Sequence, residues 1–188
     1  MSVLIINGSP NENGNTSRAL TVVEEGLYKS GIETKWIHIG KKAVHGCIDC
    51  GHCKTAKRCV FDDDLCNTLI DAILEADGII VGSPVYFSSA NGALCALLDR
   101  VFYSTCTWHQ MFAGKPAAAV VTRYRSGGSA TLERLHKYFL CSQMPVVSSN
   151  DFMAFKEISH EELSEYDRNI LETLGVNMAK LLKTRVEV

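Results

Sequence analysis

The sequence contains no apolar run approaching the ~20 residues that a bilayer-spanning helix requires, and no excess of charge of either sign. Its 19 lysines and arginines are set against 21 aspartates and glutamates, for a formal net charge of −2. That balance demands no broad basic face, so neither nucleic acid nor a membrane is an expected partner. The opening stretch MSVLIING has no basic segment, and its apolar run stops at Asn7, unlike an export signal. A cytoplasmic location is expected, where disulfides are disfavoured. No G-K-[ST] follows a glycine-rich turn, which excludes a Walker A loop, and the dinucleotide fingerprint G-x-G-x-x-G is also missing. No Ser-His-Asp or paired-carboxylate arrangement can be defended. Repeats, low-complexity tracts and linkers are lacking too. A chain of 188 residues, 46% of them hydrophobic, then reads as one domain over residues 1–188 with one sizeable core.

Short apolar runs alternate with helical periods. Strands are expected at Ser2–Ile6, Thr34–Ile39, Gly78–Pro84, Pro116–Thr122 and Met144–Ser149 (MPVVSS). Helices are expected from about Asn15 to Ser30, from near Asp63, over Ala90–Phe102, over Ser129–Cys141, and to about Lys183 from a capping box at Ser159–Glu162 (SHEE). The alternation predicts a three-layer α/β fold: a doubly wound, five-stranded parallel sheet with helices on both faces. Asp99 and Arg100 read as a structural ion pair.

Such sheets bind ligands beyond the carboxyl ends of their strands. Three loops there stand out: NGSPNENGNTS (Asn7–Ser17), GSPVYFSSANG (Gly82–Gly92) and TRYRSGGS (Thr122–Ser129). The first is rich in small polar residues and runs into a helix, which makes an anion cradle of neutral donors. The second sets Pro84, Val85, Tyr86 and Phe87 beside it as a wall for a flat heterocycle.

Eight cysteines are present, four of them in CIDCGHCKTAKRC, spaced C-x2-C-x2-C-x5-C. This run lies in a segment of about residues 40–61 with little periodicity. Clustered cysteines in a reducing compartment point to metal or redox chemistry. Cys47, Cys50, Cys53 and Cys59 are candidate metal ligands, and His45 and His52 are possible substitutes. A [4Fe-4S] cluster, reduced thiols shaping a loop, and zinc are open readings, with disulfides the least expected in a reducing compartment. Cys66, Cys95, Cys106 and Cys141 read as small buried hydrophobes.

The three loops together resemble the flavodoxin-like, NAD(P)H-dependent FMN reductase family, over nearly the whole chain. The resemblance implies FMN as cofactor, NAD(P)H as co-substrate and the strand order 2-1-3-4-5. It implies that Ser9, Asn11, Asn15, Thr16 and Ser17 hold the FMN phosphate. Pro84, Val85, Tyr86 and Phe87 contact the ring or ribityl chain, and Thr122, Arg123, Tyr124, Gly127 and Gly128 border the ring's other edge. The cysteine run resembles that of iron–sulfur flavoproteins, which carry a [4Fe-4S] cluster near FMN. The two resemblances imply a flavin-dependent oxidoreductase. It either reduces a small acceptor such as a flavin or quinone, or passes electrons between cluster and FMN with a ferredoxin as partner. A homodimer or homotetramer is implied. A carrier or redox-sensing module is the alternative. Arg123 and Arg125 read as a solvated pair, or as a site for an NADPH 2′-phosphate or an acidic ferredoxin face. YSTCTWHQMF (Tyr103–Phe112) reads as a flap over the flavin of its own or a neighbouring subunit, or as a surface loop anchored by Trp108.

Overall fold

A computed structural model describes residues 1–150, 155–157 and 163–185. The β-branched run Ser2–Asn7 forms β1, followed by α1 (Asn15–Lys29) and β2 (Glu33–His38). The cysteine segment contains a single helical turn, α2 (Cys53–Ala56), and leads to α3 (Cys66–Glu75). Then come β3 (Gly78–Tyr86), a two-residue β4 (Ser89–Ala90), α4 (Gly92–Thr105), β5 (Ala117–Arg123) and α5 (Gly128–Cys141). A three-residue β6 (Phe155–Glu157) and α6 (Glu165–Thr184) complete the described chain.

The sheet order is β2-β1-β3-β5-β6, and all four pairings are parallel. Counting parallel strands alone, this is the implied 2-1-3-4-5. β4 folds back antiparallel on the end of β3. The pleat sends alternate residues to opposite faces. Val3 and Ile5 pack with α1 and α6, while Leu4 and Ile6 pack with α3, α4 and α5. Both faces of the central strands are therefore apolar, as parallel sheets require.

The fifth strand is not where the sequence suggested. Residues 145–147 run beside the start of β5, where the Ala117 N–H donates to the Pro145 carbonyl at 2.9 Å and the Val147 N–H to the Ala117 carbonyl at 2.8 Å. Val146 makes one isolated bridge there. The turn formers Ser148, Ser149 and Asn150 then end the pairing, and Asn177 Nδ2 caps the Ser148 carbonyl at 2.9 Å. Regular pairing resumes at Phe155–Glu157, opposite Val121–Arg123. The expected capping box at Ser159–Glu162 lies outside the described residues. α6 is described from Glu165, where Ser164 accepts from the Asp167 N–H.

α1 and α6 cross at two glycines. A Cβ on Gly26 would stand 2.3 Å from the Glu172 carbonyl oxygen, and one on Gly175 would stand 2.2 Å from that of Val23. Backbone cannot yield as a side-chain tip can, so Gly175→Ala has to part the helices. It is expected to lower the unfolding free energy by roughly 1–3 kcal/mol, as overpacked cores do. A urea midpoint equal to that of the native chain would contradict this packing account.

Candidate functional site

The carboxyl ends of β1, β3 and β5 bring the three polar loops together. The Gly8 N–H donates to the Gly82 carbonyl at 2.8 Å, tying the first loop to β3. Asn91 Nδ2 donates to the Gly8 carbonyl at 2.7 Å, and Asn91 Oδ1 caps α4 through the Ala93 N–H at 3.0 Å. The Thr16 and Thr122 hydroxyls meet at 2.8 Å, joining the first loop to β5. A Cβ on Gly127 would stand 2.4 Å from Ser88 Cα, so the second and third loops also touch. Gly127 has φ 91°, a conformation that glycine adopts without steric cost.

The first loop is wound by its own side chains. Asn7 Oδ1 accepts from the Ser9 N–H at 3.1 Å, and Ser9 Oγ from the Asn11 N–H at 3.1 Å. His38 Nε2 holds the Ser9 carbonyl from β2 at 2.7 Å. Ser9 and Thr16 are buried, Asn15 and Ser17 half-buried, and Asn11 exposed. The loop enters α1 at Gly14, which brings no capping side chain, and no acidic residue lies in the first turn. The positive end of the helix dipole thus meets no negative group of its own helix.

Phe87 and Ser88, both at positive φ (47° and 65°), turn β3 into β4 as a two-residue hairpin. A bulky residue in that region is strained, and such strain gathers at functional sites. Pro84 and Val85 are half-buried beneath the hairpin. Phe87 is fully exposed at its tip, with Tyr86 and Tyr124 also exposed. Thr122 and Gly128 are buried, and Arg123 is half-buried with Nη1 bonded to the Arg125 carbonyl.

A second centre lies beside α4. Cys47, Cys50, Cys53 and Cys59 all line one cavity of about 20 Å³, together with Phe61, Arg100 and Tyr103. Cys47 and Cys50 are exposed, Cys53 is buried and Cys59 half-buried. Burial pushes the Cys53 thiol up, and so does its proximity to Cys50, Cys47 and Cys59, against an opposing backbone hydrogen bond. Among the described residues, no three His, Cys, Asp or Glu side chains are already gathered for a single metal ion. His45 is occupied elsewhere. Its ring stacks on Phe61 at 4.3 Å, and its Nε2 pairs with Asp63 at 3.1 Å. His52 is exposed and does not line the cavity.

The end of the cysteine run is held firmly. Asn67 Oδ1 accepts from the Cys59 N–H at 2.9 Å, and its Nδ2 donates to the carbonyls of Cys59 and Phe61 at 3.1 and 3.2 Å. Arg58 makes a two-pronged bond to Asp71 at 2.6 and 3.0 Å. Arg100, only 2% exposed, donates from Nε to Cys59 Sγ at 3.2 Å and from Nη1 to the His45 carbonyl at 3.1 Å. Both of its Nη groups bond Asp64. The expected Asp99–Arg100 pair is therefore wrong. Neighbours in a helix point about 100° apart, so Arg100 faces inward to Asp64 while Asp99 faces outward to Arg134 at 2.7 Å. Tyr103 lines the cysteine cavity, Trp108 meets Tyr103 edge-on at 6.2 Å under Lys54, and His109 Nε2 bonds the Cys53 carbonyl at 3.4 Å. Of the other four cysteines, Cys66 and Cys106 are buried, Cys95 is half-buried, and Cys141 is exposed, contrary to expectation.

The family model described as NADPH-dependent FMN reductase matches residues 1–157. The chain belongs to that family. Membership makes it an FMN-binding flavoprotein of the oxidoreductase class. An iron–sulfur flavoprotein of Methanocaldococcus jannaschii is 34% identical over 151 residues, which is 80% of this chain and 78% of that one. An iron–sulfur flavoprotein of Methanosarcina thermophila is 33% identical over 154 residues, with 80% and 78% covered. A solved flavodoxin from the domain Archaea shares the fold, with a TM-score of 0.65 at 16% identity over 97% of this chain and 99% of its own.

Four residues of this flavoprotein went unremarked in the sequence or were misplaced: His38, Asn91, Asn67 and Arg100. Asn91 had a signal, because Asn directly before an apolar helical period is a preferred cap. Arg100 had a weaker one, three residues after Leu97 on the apolar face of α4. His38 and Asn67 bond backbone across loops, which periodicity does not register.

The Asp64–Arg100 pair yields a stability test. Burial pushes the Asp64 carboxyl up, but bonds from Arg100 and from the N–H groups of Cys66 and His45 outweigh it and hold it below its ordinary value. A depressed carboxyl stabilises the fold above its unfolded value of ~3.9 and loses that contribution as pH falls through the lower folded value. Asp64→Asn strands the guanidinium and is expected to cost roughly 3–5 kcal/mol at neutral pH. Urea unfolding of both proteins at pH 7 checks it, and equal stabilities would remove the pair's assigned role.

Proposed function

We propose that this flavoprotein is an iron–sulfur flavoprotein. In this reading FMN lies across the ends of β1, β3 and β5, and Cys47, Cys50, Cys53 and Cys59 hold a [4Fe-4S] cluster beside α4. The observation that carries the reading is that all four cysteines of the C-x2-C-x2-C-x5-C run line one cavity. Two relatives at 33–34% identity bear that name. Four cysteine donors suit a cluster's soft irons. About 20 Å³ has room for about one water. To admit a cluster the loop has to open at Cys47 and Cys50, its exposed side.

Bound FMN supplies both hydride and single-electron chemistry, and the cluster supplies single electrons. The chain binds and orients. Ser9, Asn11, Asn15, Thr16 and Ser17 offer hydroxyl, amide and helix N–H donors to the phosphate. The Thr16 hydroxyl is used on Thr122, which leaves its backbone N–H. Pro84, Val85, Tyr86 and Phe87 cover one side of the ring, and Thr122, Arg123, Tyr124, Gly127 and Gly128 border the other. Backbone N–H groups at the hairpin and at Gly127–Gly128 would offer hydrogen-bond donors to the ring of a bound flavin. NAD(P)H, a small acceptor and a ferredoxin are the reaction partners in this reading. The exposed aromatic edge of Tyr86, Phe87 and Tyr124 supports an assembly in which a second copy covers the flavin.

Purification without oxygen, a visible spectrum, and iron and acid-labile sulfide assays test the reading. Flavin bands with a broad visible shoulder and about four irons and four sulfides per chain are expected. Cys59→Ser is expected to lose the iron and keep the flavin. Flavin without iron in the native chain would leave an NAD(P)H-dependent FMN reductase with four reduced thiols.

The flavin half has its own test. Gly127→Ala forces a side chain into a left-handed position and against the Ser88 backbone. It is expected to weaken FMN binding by about tenfold, equivalent to ~1.4 kcal/mol, with the iron content unchanged. Fluorescence titration of the flavin-free protein measures it, and unchanged affinity would move the ring away from this loop.

A further inference from the structure

We infer that Arg100 is a positioning residue that tunes the cysteine centre: its guanidinium, clamped from behind by Asp64, points a hydrogen-bond donor at the Cys59 sulfur and raises the reduction potential of the cluster that Cys59 helps to hold. The inference rests on the cluster reading and goes beyond it, because that reading names ligands and says nothing of what sets their potential.

The geometry is directional. Nε faces the thiol at 3.2 Å, and both Nη groups face Asp64. The Arg100 and Asp64 side chains are 1% and 4% exposed. The pair is neutral as a whole, yet it is oriented with its positive end toward sulfur. In a water-poor surrounding such a dipole acts at far greater strength than it does on the surface. Hydrogen bonds to cluster sulfurs and local charge are among the levers that set these potentials. One-electron reduction adds negative charge to the centre, so a donor and a positive end at Cys59 favour the reduced state. Phe61 closes the site, its ring 5.3 Å from the guanidinium carbon. Arg100 also bonds the His45 carbonyl just ahead of Cys47. A single side chain on α4 thus touches both ends of the cysteine run.

The other groups near the cavity do not offer this arrangement. Lys54 lies over Trp108, at 5.0 Å from the ring, and Arg58 is committed to Asp71. Buried Cys66 carries no positive charge.

The test uses the FMN- and cluster-loaded protein, with iron counting, electron paramagnetic resonance and potentiometric titration of cluster and flavin separately. Three variants are compared with the native chain. Arg100→Lys keeps a charge and loses the fork. The double variant Arg100→Gln with Asp64→Asn removes the dipole without stranding a charge. Asp64→Asn alone leaves the positive end uncompensated. The expected result is a cluster potential lowered in the first two and raised in the third, with an altered resonance signal and an unmoved flavin potential. Opposite shifts from the two halves of one ion pair are a signature that loosened packing does not produce. Iron-replete variants with the native cluster potential overturn the inference. So do the two Arg100 variants if they fold, bind FMN and hold no iron, since Arg100 is then only structural support. An iron-free native chain is a different failure. It overturns the cluster reading, and this inference with it.

Discussion

A guanidinium group sealed from water has five N–H donors to satisfy and a charge to neutralise, and few side chains can be buried at greater cost. Arg100 meets that demand by drawing in the structure around it. Asp64 comes from the turn before α3, the His45 carbonyl from the entry to the cysteine loop, and the Cys59 sulfur from its exit. The loop has almost no regular secondary structure of its own, only the single turn α2. Its shape is therefore borrowed from α4 through Arg100 and from α3 through Asn67. Arg100 and Asn67 are the two buried anchors of the run, and each holds Cys59 from a different helix.

α4 also reaches the polar loops where the proposed flavin site lies. Its first turn is capped by Asn91, whose amide holds the Gly8 carbonyl of the first loop. Arg100 lies nine residues further on, about two and a half turns or ~13 Å along the axis. One rigid helix thus fixes the first polar loop at one end and the cysteine centre at the other. The apolar residues Leu94, Leu97, Leu98 and Val101 lock it against the sheet between the two. A protein that moves electrons between two groups needs their separation held steady, and a packed helix does this better than a loop.

Much of this was legible in the sequence. Parallel central strands announce themselves because both faces are apolar, and Gly78–Pro84 with Pro116–Thr122 left little choice of fold. The three polar loops stand out because hydroxyl, amide and glycine residues crowd where strands end. The fifth strand was misplaced because MPVVSS has the composition of a strand while its pairing is set by geometry. Only Val146 bridges β5 before Ser148, Ser149 and Asn150 carry the chain off. The Asp99–Arg100 pair failed for a related reason. Adjacent opposite charges look like partners on paper, yet a helix turns them about 100° apart. Cys141 was read as buried because cysteine usually is, but it falls on the outer side of α5 at its last turn.

The aromatic segment after α4 shows how an electron-transfer reading changes the meaning of a surface. As a flap over a flavin, Tyr103 and Trp108 would exclude water from hydride chemistry. Where they lie, Tyr103 lines the cysteine cavity and Trp108 meets its ring edge-on, with Lys54 over the Trp108 ring and His109 bonded to the Cys53 carbonyl. Cys47, Cys50, Ile48 and Val60 stay exposed on the other side. A hydride site gains from closure on all sides. A centre that exchanges single electrons with another protein has to keep one face near the surface, because the electron has to cross between molecules. Tyr103 lines the cysteine cavity on one side while Cys47 and Cys50 stay exposed on the other, an asymmetry that suits the proposed division of labour, pairs of electrons at the loops and single electrons at the cysteines.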